Sequence, residues 1–234
     1  MYELDKITII DNFLDKEILK NLGSFILNGN FRWTCGPSLL EKDYVDILMD
    51  PLYDRQLVNL IYSKHVNNSK NAREQESDYK IIIPFLKKLN ITTKQLTRVK
   101  VNGNLCKESV MRSGWHTDVT IEESGNGMTA IYYINTNNGK TLFKTGEEIE
   151  SIENRLVIFP NNFSHTPQYQ TDCPIRAVIN IKMIADNLNN LNLLLILIIN
   201  ELKITIDIKS LIKLDLSPIK KLSNKTKIIE KISI

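Results

Sequence analysis

The sequence predicts an α+β protein in which N-terminal helices pack on a core of short antiparallel strands. Three observations support this prediction. Residues 98–183 contain short runs rich in Val, Ile, Tyr and Phe, separated by Gly, Asn, Pro and Ser, which is typical of a sandwich, barrel or jelly roll. No long helical pattern alternates with these runs, which argues against a parallel α/β sheet. Apolar residues at helical spacing over 14–27 indicate a helix before the strands.

The first region, residues 1–97, is predicted to be a helix-rich support for the core. The stretch "KITIIDNF" has the pattern of a short strand, and the helix over 14–27 follows it with Asp11 or Asn12 as its N-cap. Residues 36–97 are predicted to be mostly helical and irregular, with a polar stretch, "NNSKNAREQESD", that is typical of an exposed loop or a frayed helix.

The strand-rich region, residues 98–185, is predicted to be the functional core, and residues 186–234 are predicted to be a separate C-terminal extension. The extension is rich in Ile, Leu, Lys and Asn and contains no aromatic residue, Gly, Cys or His. Part of it alternates apolar and polar residues as a strand does. It would cover the core, pair with a second subunit or extend from the protein, and we assign it no catalytic role.

The composition is that of a soluble globular protein, with 42% hydrophobic and 24% charged residues. A net charge of +3 does not point to nucleic acid as a partner. The N-terminus lacks the layout of a signal peptide, which predicts a cytoplasmic protein, and the apolar run 191–200 is about half the ~20 residues of a membrane span. The three cysteines form neither a disulfide framework nor a CxxC metal motif. The oligomeric state stays open.

The stretch "SGWHTDV" at 113–119 contains the first candidate site residues. On an extended strand His116 and Asp118 would project from the same face, either as two metal ligands or as a hydrogen-bonded surface pair. A second histidine, His165, follows the strand "RLVIFP", and two histidines with one carboxylate form the facial triad of non-haem Fe(II) sites. Arg176, eleven positions further on, begins an apolar strand and could bind a carboxylate through two hydrogen bonds.

Several stretches of the core resemble one family. They are "RVKVNGNL", "WHTD", "TAIYYINTNNGKTLF", "IENRLVIFPNNFSHTP" and "IRAVINI". In these pieces the chain resembles the 2-oxoglutarate/Fe(II)-dependent oxygenases, in the prolyl-4-hydroxylase-like branch and its phage-encoded relatives. The resemblance implies a double-stranded β-helix, or jelly roll, as the catalytic core at 98–185, with the N-terminal helices packed on it.

The resemblance also assigns site residues. It implies that the Fe(II) ligands are His116, Asp118 and His165. It implies that Arg176 pairs with the distal carboxylate of 2-oxoglutarate, that the Tyr133 hydroxyl assists this arginine, and that Asn102 approaches the cosubstrate near the metal. Thr129 shares the strand face of Tyr133 and Asn180 that of Arg176, so both are predicted to line the cavity.

The implied activity is hydroxylation of a C–H bond by a dioxygenase that uses Fe(II), 2-oxoglutarate and O2 and releases succinate and CO2. The implied substrate is a side chain of a peptide or protein, such as that of proline, or a small molecule. Nucleic acid and membrane are not expected as partners. Two alternatives come from other classes: a jelly-roll binding module without turnover, and a zinc-dependent hydrolase that uses the same three ligands but has no need of Arg176.

Overall fold

The computed structural model describes the strand-rich core and part of the N-terminal region. The described residues are 6–29, 31–37, 55–64, 83–84, 86–89, 95–119 and 127–184. The predicted extension 186–234, with its alternating strand, lies outside the described residues, as does the polar stretch at 67–78.

The structure gives bounds for one helix and ten strands within these ranges. In chain order they are β1 (Thr8–Ile10), α1 (Lys16–Leu27), β2 (Thr34–Pro37), β3 (Arg55–Ser63), β4 (Leu96–Leu105), β5 (Gly127–Tyr133), β6 (Asn137–Phe143), β7 (Glu148–Ser151), β8 (Leu156–Pro160), β9 (His165–Gln168) and β10 (Ile175–Ile184).

The strands form two antiparallel sheets. The larger sheet has the order β1-β8-β5-β10-β4-β3-β2, and the smaller sheet has the order β7-β6-β9. From β4 onward the chain passes from one sheet to the other: an isolated bridge at His116 joins the end of the smaller sheet, β5 returns to the larger one, and β6 to β10 repeat the exchange. This double winding of antiparallel strands confirms the predicted jelly-roll core.

Apolar side chains from both sheets meet between them. The buried cluster consists of Ile131, Tyr133, Phe143, Ile149, Val157, Phe159 and Val178. Phe143 from the smaller sheet and Phe159 from the larger one pack edge to face with ring centroids 4.9 Å apart. Each buried side chain of this size contributes roughly 1.5–3 kcal/mol to the packing of the two sheets.

Strands β4 and β10 carry polar and charged residues on the inner face beside this cluster. The register pairs Arg176 with Asn104, Val178 with Asn102, Asn180 with Lys100, and Lys182 with Arg98. Alternate residues of a strand share one face. The inner face of these two central strands is therefore a mostly polar strip with an arginine at one end and a lysine at the other.

The N-terminal part contributes more strand than the sequence predicted. Residues 55–63, predicted to be mostly helical and irregular, form β3, which pairs along β4 in the larger sheet. The prediction failed because apolar residues occur on both faces of "RQLVNLIYS", so its periodicity favours neither helix nor strand. Pairing with β4 decides the conformation.

Helix α1 agrees with the sequence in its extent. Its predicted range 14–27 compares with Lys16–Leu27, and Leu22 and Ile26 are buried on its inner face. The N-cap is Asp15 rather than Asp11 or Asn12, since Asn12 adopts a left-handed conformation with φ 55°. No helix in the described ranges is long and apolar enough to cross a membrane.

Candidate active site

A cavity lined by residues of both sheets joins most of the predicted site residues. Its lining includes His116, His165, Arg176, Asn102, Asn180 and Thr141. Strands β4 and β10 supply Asn102, Asn180 and Arg176, while the smaller sheet supplies Thr141 and His165. The jelly roll thus brings together groups that lie as far apart in the sequence as Asn102 and Asn180, a separation of 78 positions.

A backbone bridge places His116 and His165 side by side. The His116 amide donates to the His165 carbonyl at 3.0 Å, and the His165 amide donates to the His116 carbonyl at 2.9 Å. In such a hydrogen-bonded antiparallel pair the two side chains project from the same face. The imidazole centroids lie 4.4 Å apart as a result.

Asp118 lies next to this pair, and it is buried, with 3% of its surface exposed. Its Oδ2 is 3.6 Å from Nε2 of His165 and accepts a hydrogen bond from the Thr129 hydroxyl at 3.0 Å. Burial alone would raise the pKa of Asp118, but the neighbouring His165 imidazole, Lys182 ammonium, His116 imidazole and Arg98 guanidinium outweigh it and hold that pKa below its usual range. The carboxylate is therefore ionised.

The two histidines differ in their ring contacts. Nδ1 of His165 lies 3.0 Å from the Phe163 carbonyl, which leaves Nε2 as the ring nitrogen that faces Asp118. Burial, and then the neighbouring His165, lower the pKa of His116 to about 4, so His116 is neutral at pH 7. Nδ1 of His116 is buried and makes no hydrogen bond within the described part of the chain.

These donors fit a divalent ion in kind. Two imidazoles and one carboxylate are the donor set of the facial triad, and the Nδ1 of His116 is a buried polar atom without a hydrogen-bond partner among the described residues. In the ranges that the structure describes, however, no group of three His, Cys, Asp or Glu side chains is placed so that it could hold a metal ion. The Asp118 carboxylate is instead held by Lys182, whose ammonium is 3.1 Å from Oδ1.

Arg176 lies inside the cavity and is 2% exposed. Its Nε donates to the Ser151 hydroxyl at 2.6 Å, Nη2 donates to the Thr141 hydroxyl at 3.0 Å, and Nη1 donates to the Asn104 side-chain oxygen at 3.4 Å. All three acceptors are neutral. Within the described part of the chain, no carboxylate pairs with this guanidinium.

Tyr133 supports Arg176 from outside the cavity lining. Its hydroxyl shares a hydrogen bond of 2.7 Å with Thr141, and the Arg176 guanidinium lies over its ring, 5.3 Å from the centroid. Burial raises the pKa of Tyr133, so the phenol is neutral. The contact with Arg176 agrees with the role predicted for Tyr133, and direct contact with a cosubstrate stays a prediction.

Asn102 lines the cavity, as predicted, and its Oδ1 is buried without a hydrogen-bond partner among the described residues. Asn180 also lines the cavity. Thr129 lies instead at the carboxylate of Asp118. The face of its strand on which each of these side chains lies follows from the alternation of side chains along a strand, which can be read from the sequence.

Sequence reasoning missed the residues that hold Arg176. Thr141 and Ser151 lie on the smaller sheet, and only the closure of the jelly roll brings them to β10. Asn104 could have been predicted from the sequence, since it follows Asn102 by two positions and therefore lies on the same face of the strand.

No protein-family model and no curated protein matches the sequence. Among solved structures, an oxidoreductase of the 2OG-Fe(II) oxygenase family from Burkholderia pseudomallei matches with a TM-score of 0.52 at 9% identity, covering 76% of this chain and 84% of that chain. A Trichoplax adhaerens prolyl hydroxylase in complex with a hypoxia inducible factor peptide matches with a TM-score of 0.49 at 15% identity, covering 76% and 83%.

The viral collagen prolyl hydroxylase of Paramecium bursaria Chlorella virus-1 matches with a TM-score of 0.42 at 13% identity, covering 77% of this chain and 96% of that chain. The Burkholderia match bears on the fold. The chain therefore has the jelly-roll fold of a 2OG-Fe(II) oxygenase family protein, and the resemblance predicted from its sequence is confirmed in the fold.

Proposed function

We propose that this chain is an Fe(II)- and 2-oxoglutarate-dependent dioxygenase that hydroxylates a C–H bond of a peptide, protein or small-molecule substrate. One observation carries the proposal: a fully buried guanidinium, Arg176, has only neutral partners among the described residues and lies in the same cavity as His116 and His165. A buried charge without a counter-charge is costly. The missing partner is a carboxylate that enters with a ligand.

Two groups of residues, at opposite ends of the cavity, would have two different roles. His116, His165 and Asp118 would hold Fe(II) at one end, and Arg176 would hold the distal carboxylate of 2-oxoglutarate at the other. The buried Oδ1 and the amide group of Asn102 lie on the strip between them and would orient the cosubstrate. When bound, Fe(II) with 2-oxoglutarate and O2 supplies an oxidation that converts 2-oxoglutarate to succinate and CO2 and a substrate C–H to C–OH.

The protein would orient the cosubstrate, supply the charges that bind it and the metal, and exclude water from the cavity. Thr141, Ser151 and Asn104 fix the guanidinium before any ligand arrives, so little reorganisation accompanies binding. Ile131 and Val178 line the cavity between the polar groups and exclude water from part of it. Asp118 stays ionised and His116 stays neutral, as metal ligands must be.

Anaerobic titration of metal-free protein with Fe(II) and then 2-oxoglutarate tests the proposal. We expect a visible charge-transfer band after both additions. Arg176→Met should bind Fe(II) as the wild type does but require roughly 10- to 100-fold more 2-oxoglutarate for the band. His165→Ala should lose the band. Lys20→Met, which changes an exposed lysine of α1, is the matched control.

A band that is equally strong in Arg176→Met would mean that the cosubstrate binds elsewhere. Iron binding without any band would contradict 2-oxoglutarate as cosubstrate. Activation of a hydrolysis by zinc, with no dependence on 2-oxoglutarate, would instead support the hydrolase that uses the same ligands.

A further inference from the structure

Three cationic side chains surround one carboxylate at the end of the inner strip away from Arg176. They are Arg98 and Lys100 on β4 and Lys182 on β10. Lys182 pairs with Arg98 across the two strands, and Lys100 pairs with Asn180. Asp118 is the carboxylate that acts on all three among the described residues.

Of the three cations, Lys100 has the fewest polar contacts to balance its charge among the described residues. It is 9% exposed, and its ammonium has no hydrogen bond or ion pair within the described part of the chain. Its neighbours along and across the strands, Asn102 and Asn180, both line the cavity. Burial, and then repulsion from Arg98, lower the pKa of Lys100 to about 8, so the group still carries its charge at pH 7.

The other two cations, Lys182 and Arg98, each contact the Asp118 carboxylate and one further oxygen. The Lys182 ammonium lies 3.1 Å from Oδ1 of Asp118 and donates to the Asp118 carbonyl at 2.6 Å. Arg98 Nη2 lies 3.6 Å from the same Oδ1 and donates to the Asn180 side-chain oxygen at 3.2 Å. Arg98 Nε is buried and has no partner in the described ranges. One carboxylate therefore faces three positive charges.

The charge imbalance grows when the site is loaded. Under the proposed function Asp118 gives its charge to a divalent ion, which leaves the cluster with no carboxylate of its own. The distal end of 2-oxoglutarate cannot supply one, because Arg176 and Lys182 are six residues apart on β10, or about 20 Å. A five-carbon diacid is roughly 7 Å long.

We propose that Arg98, Lys100 and Lys182 form an anion subsite that binds a carboxylate of the substrate beside the C–H bond to be oxidised. This inference rests on the proposed function and names the chemical class of its substrate: an acid, with its carboxylate near the reactive carbon. The Lys100 ammonium, which has no ionic partner at contact distance among the described residues, is then matched by one in the substrate complex. Neutral analogues leave that charge unmatched and bind more weakly.

Acetate is the minimal probe of the subsite. Full-length protein saturated with Fe(II) and 2-oxoglutarate under anaerobic conditions is titrated with sodium acetate, with sodium chloride at equal ionic strength as the reference. The readouts are the thermal midpoint and the position of the visible band. We expect saturable binding of acetate beyond the effect of chloride. Lys100→Met should weaken it about tenfold or more, while Lys100→Arg should largely restore it.

Three comparisons make the test decisive. Lys20→Met, on the exposed face of α1, should bind acetate as the wild type does. Arg98→Met is a second loss-of-charge variant, useful if Lys100→Met folds poorly.

A blocked Gly-Asp-Gly peptide that binds more tightly than acetate assigns the carboxylate to a peptide substrate, and tighter binding of acetate assigns it to a small acid. Acetate that acts no differently from chloride, or binds equally to Lys100→Met, overturns the inference.

A parallel titration of metal-free protein separates the inference from the function on which it rests. If no band forms with Fe(II) and 2-oxoglutarate but acetate still binds through Lys100, the dioxygenase proposal fails and the anion subsite stands. If the band forms and acetate binding does not depend on Lys100, the subsite fails and the dioxygenase proposal stands.

Discussion

The Lys182 ammonium binds Asp118 at two points, with its Nζ 2.6 Å from the backbone carbonyl and 3.1 Å from Oδ1. These contacts hold the carboxylate from one side, while Oδ2 faces Nε2 of His165 at 3.6 Å. A buried lysine thus orients the one carboxylate of the proposed triad. Oδ2 is left as the oxygen directed towards the histidines.

The first prediction concerns this contact. Lys182→Met removes both bonds and lets the Asp118 side chain turn, so we expect affinity for Fe(II) to fall about 10- to 100-fold, as for other partners of metal ligands. Lys182→Arg should lose less, because it keeps a charged donor. Anaerobic Fe(II) titration and Mn(II) binding followed by electron paramagnetic resonance both measure the change. Unchanged or tighter metal binding would show that Lys182 only competes with the metal.

The second prediction concerns pH and the metal-free protein. The folded state lowers the pKa of His116 from 6.5 to about 4, so between these values the unfolded chain binds more protons than the folded one. Stability should therefore fall as the pH drops from 6.5 to 4, by up to about 3 kcal/mol from this group. Asp118, whose pKa is also lowered, contributes stability above about pH 4 that is lost only at lower pH.

Urea unfolding at a series of pH values from 7 to 4 measures this effect. His116→Gln should show a flatter dependence of the free energy of unfolding on pH than the wild type. Parallel curves for the two proteins would mean that His116 is not held neutral in the folded state.

The third prediction separates two roles around Arg176. Thr141→Val keeps the shape of the side chain but removes the oxygen that accepts from Arg176 and contacts the Tyr133 hydroxyl. We expect a loss of about 1–3 kcal/mol in the free energy of unfolding and a several-fold weaker affinity for 2-oxoglutarate. Tyr133→Phe leaves the bond between Thr141 and Arg176 in place, so it should affect 2-oxoglutarate less. A larger effect of Tyr133→Phe would favour direct contact between Tyr133 and the cosubstrate.

The fourth prediction concerns a glycine that touches the arginine. A Cβ on Gly139 would lie 2.9 Å from Cδ of Arg176 and 2.9 Å from the Gln168 carbonyl. Gly139→Ala should therefore displace Arg176 and weaken 2-oxoglutarate binding while leaving Fe(II) binding intact. Gly23→Ala is the matched control, since its Cβ meets nothing within 4 Å on α1, and it should stabilise the helix by about 0.5–1 kcal/mol. Equal cosubstrate affinity in the two variants would contradict the prediction.

Strand alternation made part of the site predictable. Asn180 was placed on the cavity side from strand parity and Asn102 from the family resemblance, and both line the cavity. The short, turn-punctuated strands after residue 98 predicted an antiparallel sandwich, barrel or jelly roll, and the resemblance to the oxygenase family singled out the jelly roll. These features are local, since each depends on residues within one strand or one turn.

The rest depends on contacts between distant strands. Ser151 and Thr141 reach Arg176 only because the smaller sheet closes over the larger one, and nothing near them in the sequence marks them as its partners. Strand β3 was missed for a related reason, because its conformation is decided by pairing with β4 and not by its own pattern. Lys182 was overlooked as well, since its contact with Asp118 joins residues 64 positions apart.

The reciprocal backbone bridge between His116 and His165 has a consequence for how this protein can change. The spacing of the two imidazoles is set by main-chain hydrogen bonds, which any pair of amino acids could make. Side chains of the strip that do not contact Asp118, such as Asn102, can therefore be exchanged without disturbing that spacing. Under the proposed function, the same backbone frame would serve new substrates through changes at such positions.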